Sequence, residues 1–502
     1  MSDKVLENTT SLCPTCLKRV PAVVRTDGEM VYMEKTCAEH GSKRGVVWNS
    51  LEKYLWSFRF TKAGTPVAGY RTRESEGCPY DCGLCPRHKQ HTCLAVLEVT
   101  DFCNLQCPIC LANAERRDGS VRHPTLEEIG SAVDALLATE GRRAPLQFSG
   151  GEPTVRPDLP EVISLVSRKG FRFLEVDTNG IELARDPDLA RQFKDAGLMG
   201  IYLQFDGLTD DVYQRMRGAP LRGVKDRAIA NAKRAGLTVT LAVTAVKGVN
   251  DHQLWDIVYY ALKNGLSGVN FQPFAMLGRF PAGNSHSSGY DPMIKLTAPD
   301  VPRLLGEQSG GRLLADDFVP VPCPDNRCQM LSYLRLDERG ATSINRLVDV
   351  EGLLDYYNRF TNVEQMGDAI KSIREKVYEM WSASSAYGNS DRPSLGHLRE
   401  EECLPCCNIT PPEHEGKFFA IGVHGMMDAW NSDVHRLERC CVHELTLDGR
   451  LIPFCLYNTT STQGESLYRP KSHQQPTSRP MILPHQRVET GASGALQASR
   501  EG

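Results

Sequence analysis

No apolar run in the 502 residues reaches the roughly 18 needed to cross a bilayer as a helix, which excludes a helical membrane span. The opening MSDKVLENTT lacks the basic start and apolar centre of a secretory signal, so the expected location is the cytoplasm, with peripheral contact at the inner face of the membrane left open. Positive charge is not in excess: 58 Lys and Arg face 62 Asp and Glu, for a net charge of −4, and nothing announces a nucleic-acid partner. There is no phosphate loop, and no internal repeat apart from one duplicated cysteine spacing. Cysteine itself is absent from 111 to 322, although the chain has 18. Seven lie between 13 and 93, three between 103 and 110, and eight between 323 and 455. In a reducing compartment such clusters point to metal ligation rather than disulfides. A catalytic core flanked by metal-bearing extensions is the expected plan.

From residue 94 the chain alternates short apolar runs with amphipathic stretches, the pattern of βα units on a parallel sheet. The runs at 94–100, 145–149, 172–177, 200–205, 237–245 and 268–274 predict six strands. Thr125 with Glu128 three residues on is a capping-box signature that predicts a helix start. Six units predict an α/β fold, a partial (β/α)6 barrel open on one side, with an N-terminal metal knuckle and C-terminal cluster-bearing extensions. Past about 290 the alternation is lost; Leu353 to Phe360 and Glu364 to Trp381 read as helices among loop-rich cysteine segments. The expected divisions are 1–55, a knuckle domain; 56–93, a cluster segment; 94–290, the core; 291–458, a second cluster domain; and 459–502, a polar disordered tail.

The spacing Cys-x3-Cys-x2-Cys occurs twice, at Cys78, Cys82, Cys85 and at Cys103, Cys107, Cys110. Three thiolates can hold three irons of a [4Fe-4S] cube and leave the fourth open. Cys93 follows the first triad and could close its cube, whereas the second has no nearby fourth cysteine and follows the strand-like LAVLEVT. Loops at the carboxyl ends of parallel strands are where α/β active sites are built. Cys103, Cys107 and Cys110 are therefore expected to hold the cluster that binds and cleaves S-adenosylmethionine (SAM), and Cys78, Cys82, Cys85 and Cys93 an auxiliary cluster, with zinc as the alternative there. After the second predicted strand comes FSGGEPT, residues 148–154. Gly150 and Gly151 allow close backbone approach, Glu152 can accept from an ammonium group, and Pro153 completes the motif. Thr178 and Asn179, closing the third strand, are candidates for the SAM ribose or carboxylate, Ile109 for the adenine, and 244–250 for the adenosyl group.

Near the start, Cys13 and Cys16 are answered by Cys37 and His40, a tetrahedral set for zinc or a rubredoxin-like mononuclear iron. Late in the chain Cys323 with Cys328, and Cys440 and Cys441 with Cys455, look like halves of another cluster, so one or two auxiliary [4Fe-4S] clusters are expected. Cys403, Cys406 and Cys407 could replace some of them.

The ordered set KTCAEHG, CPYDCGLCPRHKQHTC, the second triad, FSGGEPT and RCCVHELTLDGRLIPFCLYN resembles the radical SAM tetraether (membrane-spanning) lipid synthases and their bacterial homologues, members of which have also been described as dihydropterin methyltransferases. That resemblance implies a 5′-deoxyadenosyl radical that takes hydrogen from lipid tails and couples two of them through a carbon–carbon bond, with an external reductant such as ferredoxin or flavodoxin. The alternative it carries is a methyltransferase acting on a small polar molecule such as a dihydropterin, distinguished by a polar pocket in place of a long apolar channel.

Overall fold

The computed structural model describes residues 3–61, 64, 67–114, 121–280, 291–322, 324–337, 340–346, 418–469 and 482–487. The predicted helices at 353–360 and 364–381 lie outside these, as do Cys323, Cys403, Cys406 and Cys407.

The first 48 residues make their own antiparallel sheet of β1 (Lys4–Leu12), β2 (Arg19–Thr26), β3 (Val31–Cys37) and β4 (Gly41–Trp48), in that order. Alternation decides its faces: in β2, Val20, Ala22, Val24 and Thr26 are buried and the residues between them are not. Cys13 sits just past β1, and Cys37 ends β3. A short strand, β5 (Gly69–Thr72), then leads into the first cysteine triad.

All six predicted core strands are present: β6 (Leu94–Glu98), β7 (Leu146–Ser149), β8 (Leu174–Thr178), β9 (Gly200–Gln204), β10 (Thr238–Ala245) and β11 (Gly268–Pro273). They pair in parallel in sequence order. The capping box at Thr125 forms, with Thr125 and Glu128 exchanging hydrogen bonds, and the helix Leu126–Glu140 stops at Gly141, whose φ of 67° is left-handed. Leu97, Phe148, Val176, Ile201, Leu241 and Phe271, one or more from each strand, pack outward against the helices as one core.

The late segment does not form a separate flank. Its strands are β12 (Val319–Pro320), β13 (Gln329–Asp337), β14 (Gly340–Ser343), β15 (Phe418–His424), β16 (Val442–Leu445) and β17 (Leu451–Pro453). In the large sheet the order is β12-β13-β15-β11-β10-β9-β8-β7-β6-β16-β17. β15 runs parallel to β11 and β16 parallel to β6, so the parallel array grows from six strands to eight. The sequence hides this because neither added strand is joined to its neighbour by an adjacent βα unit. Described residues within the expected tail contact the rest of the chain: Arg469 pairs with Glu98 at 2.6 Å, Tyr468 donates to the backbone of Pro79 and Tyr80, and the strand Ile482–Arg487 pairs antiparallel with β5. The Arg469 and Tyr468 side chains tie 459–469 to the core through contacts that composition does not reveal. Among the described residues, no helix is long and apolar enough to cross a membrane.

Candidate active site

The loop after β6 carries Cys103, Cys107 and Cys110, and it is held from three sides. Gly151 N–H donates to Thr100 O at 2.9 Å and Glu152 N–H to Phe102 O at 2.8 Å, stitching the GGEP turn to the loop. Arg279 exchanges backbone hydrogen bonds with Cys110 at 2.8 Å each way, and its guanidinium reaches Cys107 O and Ala114 O. Arg217 donates to Ile109 O at 2.8 Å. The two glycines, expected to allow close backbone approach to a ligand, also lie tight against the cysteine loop. A Cβ on Gly150 would lie 2.2 Å from Thr100 O, and one on Gly151 would lie 2.1 Å from Phe102 O. They are glycines because the cysteine loop lies against them.

The three thiols lie close enough that charge on one disfavours charge on the others. Burial first, and then the Glu152 carboxylate, push the Cys103 thiol up to about 12. Burial also raises Cys107, opposed by Arg217. Free thiolates are disfavoured here unless a cation is shared among them, which is the electrostatic setting of an iron–sulfur site.

Glu152 is buried, and both its oxygens are engaged. Oε1 accepts from Thr154 N and Oγ1 and from Thr178 Oγ1 at 2.7 Å; Oε2 accepts from Asn179 N at 2.7 Å. The structure thus brings Glu152, Thr178 and Asn179 together, and Asn179 Nδ2 reaches Asn104 in the cysteine loop at 2.7 Å. Burial raises the Glu152 carboxyl despite these donors. Ile109 lies in an apolar cluster with Val246 and Val249, so it meets the 244–250 segment. Pro153 opens the short turn after Glu152 and is buried.

Three charged neighbours escaped the sequence reading. Lys225, fully buried, donates to Asn179 O at 2.6 Å and Gln204 Oε1 at 2.7 Å, and burial pulls its ammonium down to about 7. Arg217 and Asp206 form a buried ion pair at 2.6 Å beneath the cysteine loop. Lys225 and Arg217 stand on helices 222–234 and 210–217, where charged residues read as a solvated face. The available signal was a charge at a core-facing position of an amphipathic helix.

The inner face of the barrel is the second feature. Polar positions that alternate with the outward core residues include Glu98, Gln147, Glu175, Asp177, Tyr202, Gln204, Thr244, Asn270, Gln272, His424 and Glu444, with the apolar or small Val96, Ala242, Ala420 and Gly422 between them. They interact: Gln147 donates to Glu175 at 2.9 Å, and Asn270 and Gln272 both donate to the Tyr202 hydroxyl, at 2.5 and 3.0 Å. Burial, then Glu152, push the Asp177 carboxyl up to about 7. Closed eight-stranded barrels fill this space with layers of branched apolar side chains. Here it is lined with hydrogen-bonding groups.

The remaining cysteines gather in separate places. Ligand atoms of Cys13, Cys16, Cys37 and His40 all lie within 4.8 Å of one another, with Cys13 and Cys37 3.8 and 3.5 Å from His40 Nδ1 and Cys16 3.9 Å from Cys37. Four ligands about 2.0–2.3 Å from a tetrahedral ion stand roughly 3.3–3.8 Å apart, so the set fits one. Cys78, Cys82 and Cys85 line one cavity together with His88 and Glu438. Asp81 folds that loop by accepting from the N–H groups of Ser75, Glu76 and Gly77 at 2.6–2.9 Å. Cys93 is not among the residues lining the cavity. It lies 3.3 Å from His91 Nε2, in a small buried cluster with Cys441. Cys328, Cys440 and Cys455 act on one another electrostatically, and Arg436 donates to Cys328 Sγ at 3.2 Å. Burial, then neighbouring thiols, raise Cys440. The late cysteines within the described residues thus split into a trio, Cys328, Cys440 and Cys455, and Cys441, which clusters with the earlier Cys93.

Two family models match the chain: the radical SAM superfamily over residues 97–261 and the HMPTM N-terminal zinc ribbon domain over 5–49. The chain is 35% identical over 490 residues to the 7,8-dihydro-6-hydroxymethylpterin dimethyltransferase of Methanocaldococcus jannaschii, covering 91% of this chain and 94% of that one. It is 33% identical to GTP 3′,8-cyclase 3 of Mycobacterium bovis over 196 residues, 36% of this chain and 48% of that one. Among solved structures, Streptococcus suis SuiB bound to S-adenosylmethionine aligns with TM-score 0.34 and 14% identity, over 44% of this chain and 47% of that chain.

Proposed function

The chain belongs to the family of the 7,8-dihydro-6-hydroxymethylpterin dimethyltransferase and is a radical SAM enzyme, and from that premise we propose that it methylates a reduced pterin. The observation that carries the substrate class is the lining of the barrel. A lipid tail needs an apolar channel, since each buried hydrogen-bonding group facing a hydrocarbon is left unpaired at a cost. The inward row from Glu98 to Glu444 offers carboxylates, amides, a phenol and an imidazole. Lipid coupling, the leading expectation from sequence, has no such support, and the relative matched end to end is named for a pterin.

In this reading Cys103, Cys107 and Cys110 hold a [4Fe-4S] cluster, which with SAM supplies one-electron cleavage and a hydrogen-abstracting carbon radical. The protein's share is position. Glu152, fixed by Thr154, Thr178 and Asn179, is placed to receive the methionine ammonium. Ile109 with Val246 and Val249 forms an apolar slot suited to adenine. Lys225 and the Arg217–Asp206 pair brace the floor beneath them. Cys13, Cys16, Cys37 and His40 hold zinc or a single iron; Cys78, Cys82 and Cys85 hold one auxiliary cluster, and Cys328, Cys440 and Cys455 another.

The test is anaerobic incubation of the reconstituted enzyme with SAM as radical source, reductant, 7,8-dihydro-6-hydroxymethylpterin and a methyl source, supplied in separate arms as excess SAM and as a reduced-folate one-carbon carrier, followed by mass spectrometry. A methylated pterin and 5′-deoxyadenosine, both lost with Cys107→Ala, are expected. An unchanged pterin, alongside diether or diester lipids that lose two hydrogens on joining, would replace this reading with tail coupling.

A further inference from the structure

Three of the buried polar atoms without a hydrogen-bond partner stand on three neighbouring strands: Gln329 Nε2 on β13, His424 Nε2 on β15 and Asn270 Oδ1 on β11. Gln329 is the register partner of His424, and β15 runs parallel to β11 with Val423 opposite Phe271, so the three form a short row. Gln329 and Asn270 are 6% and 2% exposed, so bulk solvent does not reach them.

The chemistry of each position in the row is fixed by its neighbours. Asn270 Nδ2 spends one hydrogen on Tyr202 OH at 2.5 Å and the other on His424 Nδ1 at 3.3 Å, which leaves Oδ1 as an acceptor. With the Asn270 amide in this orientation His424 Nδ1 is the acceptor, which assigns the ring proton to Nε2 and makes that atom a donor. Burial holds the imidazole neutral by pulling its pKa down to about 4. Gln329 Nε2 is a donor by nature. Across the three strands the row reads donor, donor, acceptor.

We propose that Gln329, His424 and Asn270 recognise the N5, O4, N3–H edge of a 7,8-dihydropterin, an inference that rests on the function proposed above. That edge presents, in order, an imine acceptor, a carbonyl acceptor and a lactam N–H donor, the complement of the row. Its place suits the reaction. The row runs from Asn270, midway along β11, to His424, the last residue of β15, and so reaches the end of the barrel that carries the cysteine loop after β6; Gln329 directly follows Cys328 of the late thiol trio. The row selects against the 2,4-diamino counterpart, in which an amino donor replaces O4 and a bare nitrogen replaces N3–H, so that two of the three pairs become donor against donor and acceptor against acceptor.

The experiment measures binding of 7,8-dihydro-6-hydroxymethylpterin and of its 2,4-diamino counterpart to the reconstituted full-length enzyme by anaerobic titration calorimetry. The wild type is expected to prefer the dihydropterin by at least about 100-fold, since a site built for hydrogen bonds rejects a ligand that leaves them unpaired. Asn270→Leu and His424→Phe are expected to weaken dihydropterin binding and reduce the preference below about 10-fold. His424→Gln, which keeps a donor, is expected to retain most of it. Iron content and substrate-free 5′-deoxyadenosine formation report that each variant is folded and loaded. Equal wild-type affinity for the two pteridines, or unchanged preference in folded Asn270→Leu and His424→Phe, would overturn the subsite while leaving pterin methylation standing. Absence of any dihydropterin binding or turnover by the wild type would overturn the functional reading and the subsite with it.

Discussion

Gly151→Ala isolates the coupling between the GGEP turn and the cysteine loop. The new methyl would meet Phe102 O at 2.1 Å and Phe102 C at 2.4 Å, where real Cβ atoms essentially never come closer than 3.0 Å. Both obstacles are backbone, so no side chain can swing aside. The turn and the loop must separate by about 0.9 Å, which strains the hydrogen bonds from Gly151 N to Thr100 O and Glu152 N to Phe102 O. Forced overpacking of this kind costs about 1–3 kcal/mol of stability, survivable for a chain of this size. The effect on chemistry is larger, because Cys103 and Glu152 sit on the two parts that move, and a misplacement near 1 Å costs about 100-fold in rate. Gly223→Ala serves as control: it lies in the helix 222–234, its Cβ would meet nothing closer than 3.6 Å, and alanine there adds about 0.5–1 kcal/mol of stability. The assay is 5′-deoxyadenosine formed per minute at equal iron loading. Wild-type rates in Gly151→Ala would refute the claim that these glycines exist for loop contact.

The buried Arg217–Asp206 pair makes a second case: Asp206→Asn strands a guanidinium with little solvent and is expected to cost about 3–5 kcal/mol in urea unfolding, whereas Asp206→Leu with Arg217→Met recovers most of that without restoring SAM cleavage. Recovery of cleavage in the double variant would show that Arg217 is only a structural brace. For Asp177, whose carboxyl is pushed from 3.8 to about 7, the folded state keeps its proton longer than the unfolded chain does. Its contribution to stability is therefore greatest at low pH and is lost as pH rises from about 4 to about 7. Asp177→Asn is expected to gain stability relative to wild type across that window and to hold a constant advantage above it; parallel pH profiles in chemical denaturation would exclude the shift. Cys37→Ser is expected to remove one metal ion per chain by elemental analysis while the visible absorbance of the cubes persists. Loss of cluster absorbance as well would mean that the N-terminal sheet and the core do not bind metal independently.

What could be read from sequence was whatever rests on short-range spacing. Strands β6 to β11 announced themselves as apolar runs separated by amphipathic helices, and the cysteine loop and GGEP turn because their chemistry lies within eight residues or fewer. β15, with the apolar run FFAIGVH, gave no comparable sign: its partners are β11, about 150 residues earlier, and β13, so only the folded sheet reveals that it extends the barrel. The same reason explains the late cysteines. Cys328, Cys440 and Cys455 come together because β13, β15, β16 and β17 all join one sheet, and their spacing along the chain is a by-product. Cys93, expected from its place in the sequence to join Cys78, Cys82 and Cys85, has its backbone N–H bonded to Cys441 O at 2.7 Å, a neighbour about 350 residues away that spacing does not reveal.

The proposed substrate class has a counterpart in the strand sequences that spacing arguments overlook. Parallel strands covered on both faces normally read as continuous apolar runs, because both faces are core. Here LEVDT alternates Glu175 and Asp177 with Leu174 and Val176, GIYLQ alternates Tyr202 and Gln204 with Ile201 and Leu203, and GVNFQP alternates Asn270 and Gln272 with Val269 and Phe271. Such alternation is the signature of a half-solvated antiparallel strand, yet these strands are parallel and largely buried. A polar row in that position costs desolvation unless something polar meets it, and the hydrogen bonds within the row leave Gln329, His424 and Asn270 each with one unmet atom. A hydrocarbon chain would leave those atoms unmet and bury more, whereas a flat heterocycle with donors and acceptors along its edge would satisfy them. The barrel interior therefore argues for a small polar substrate on physical grounds that do not depend on any relative.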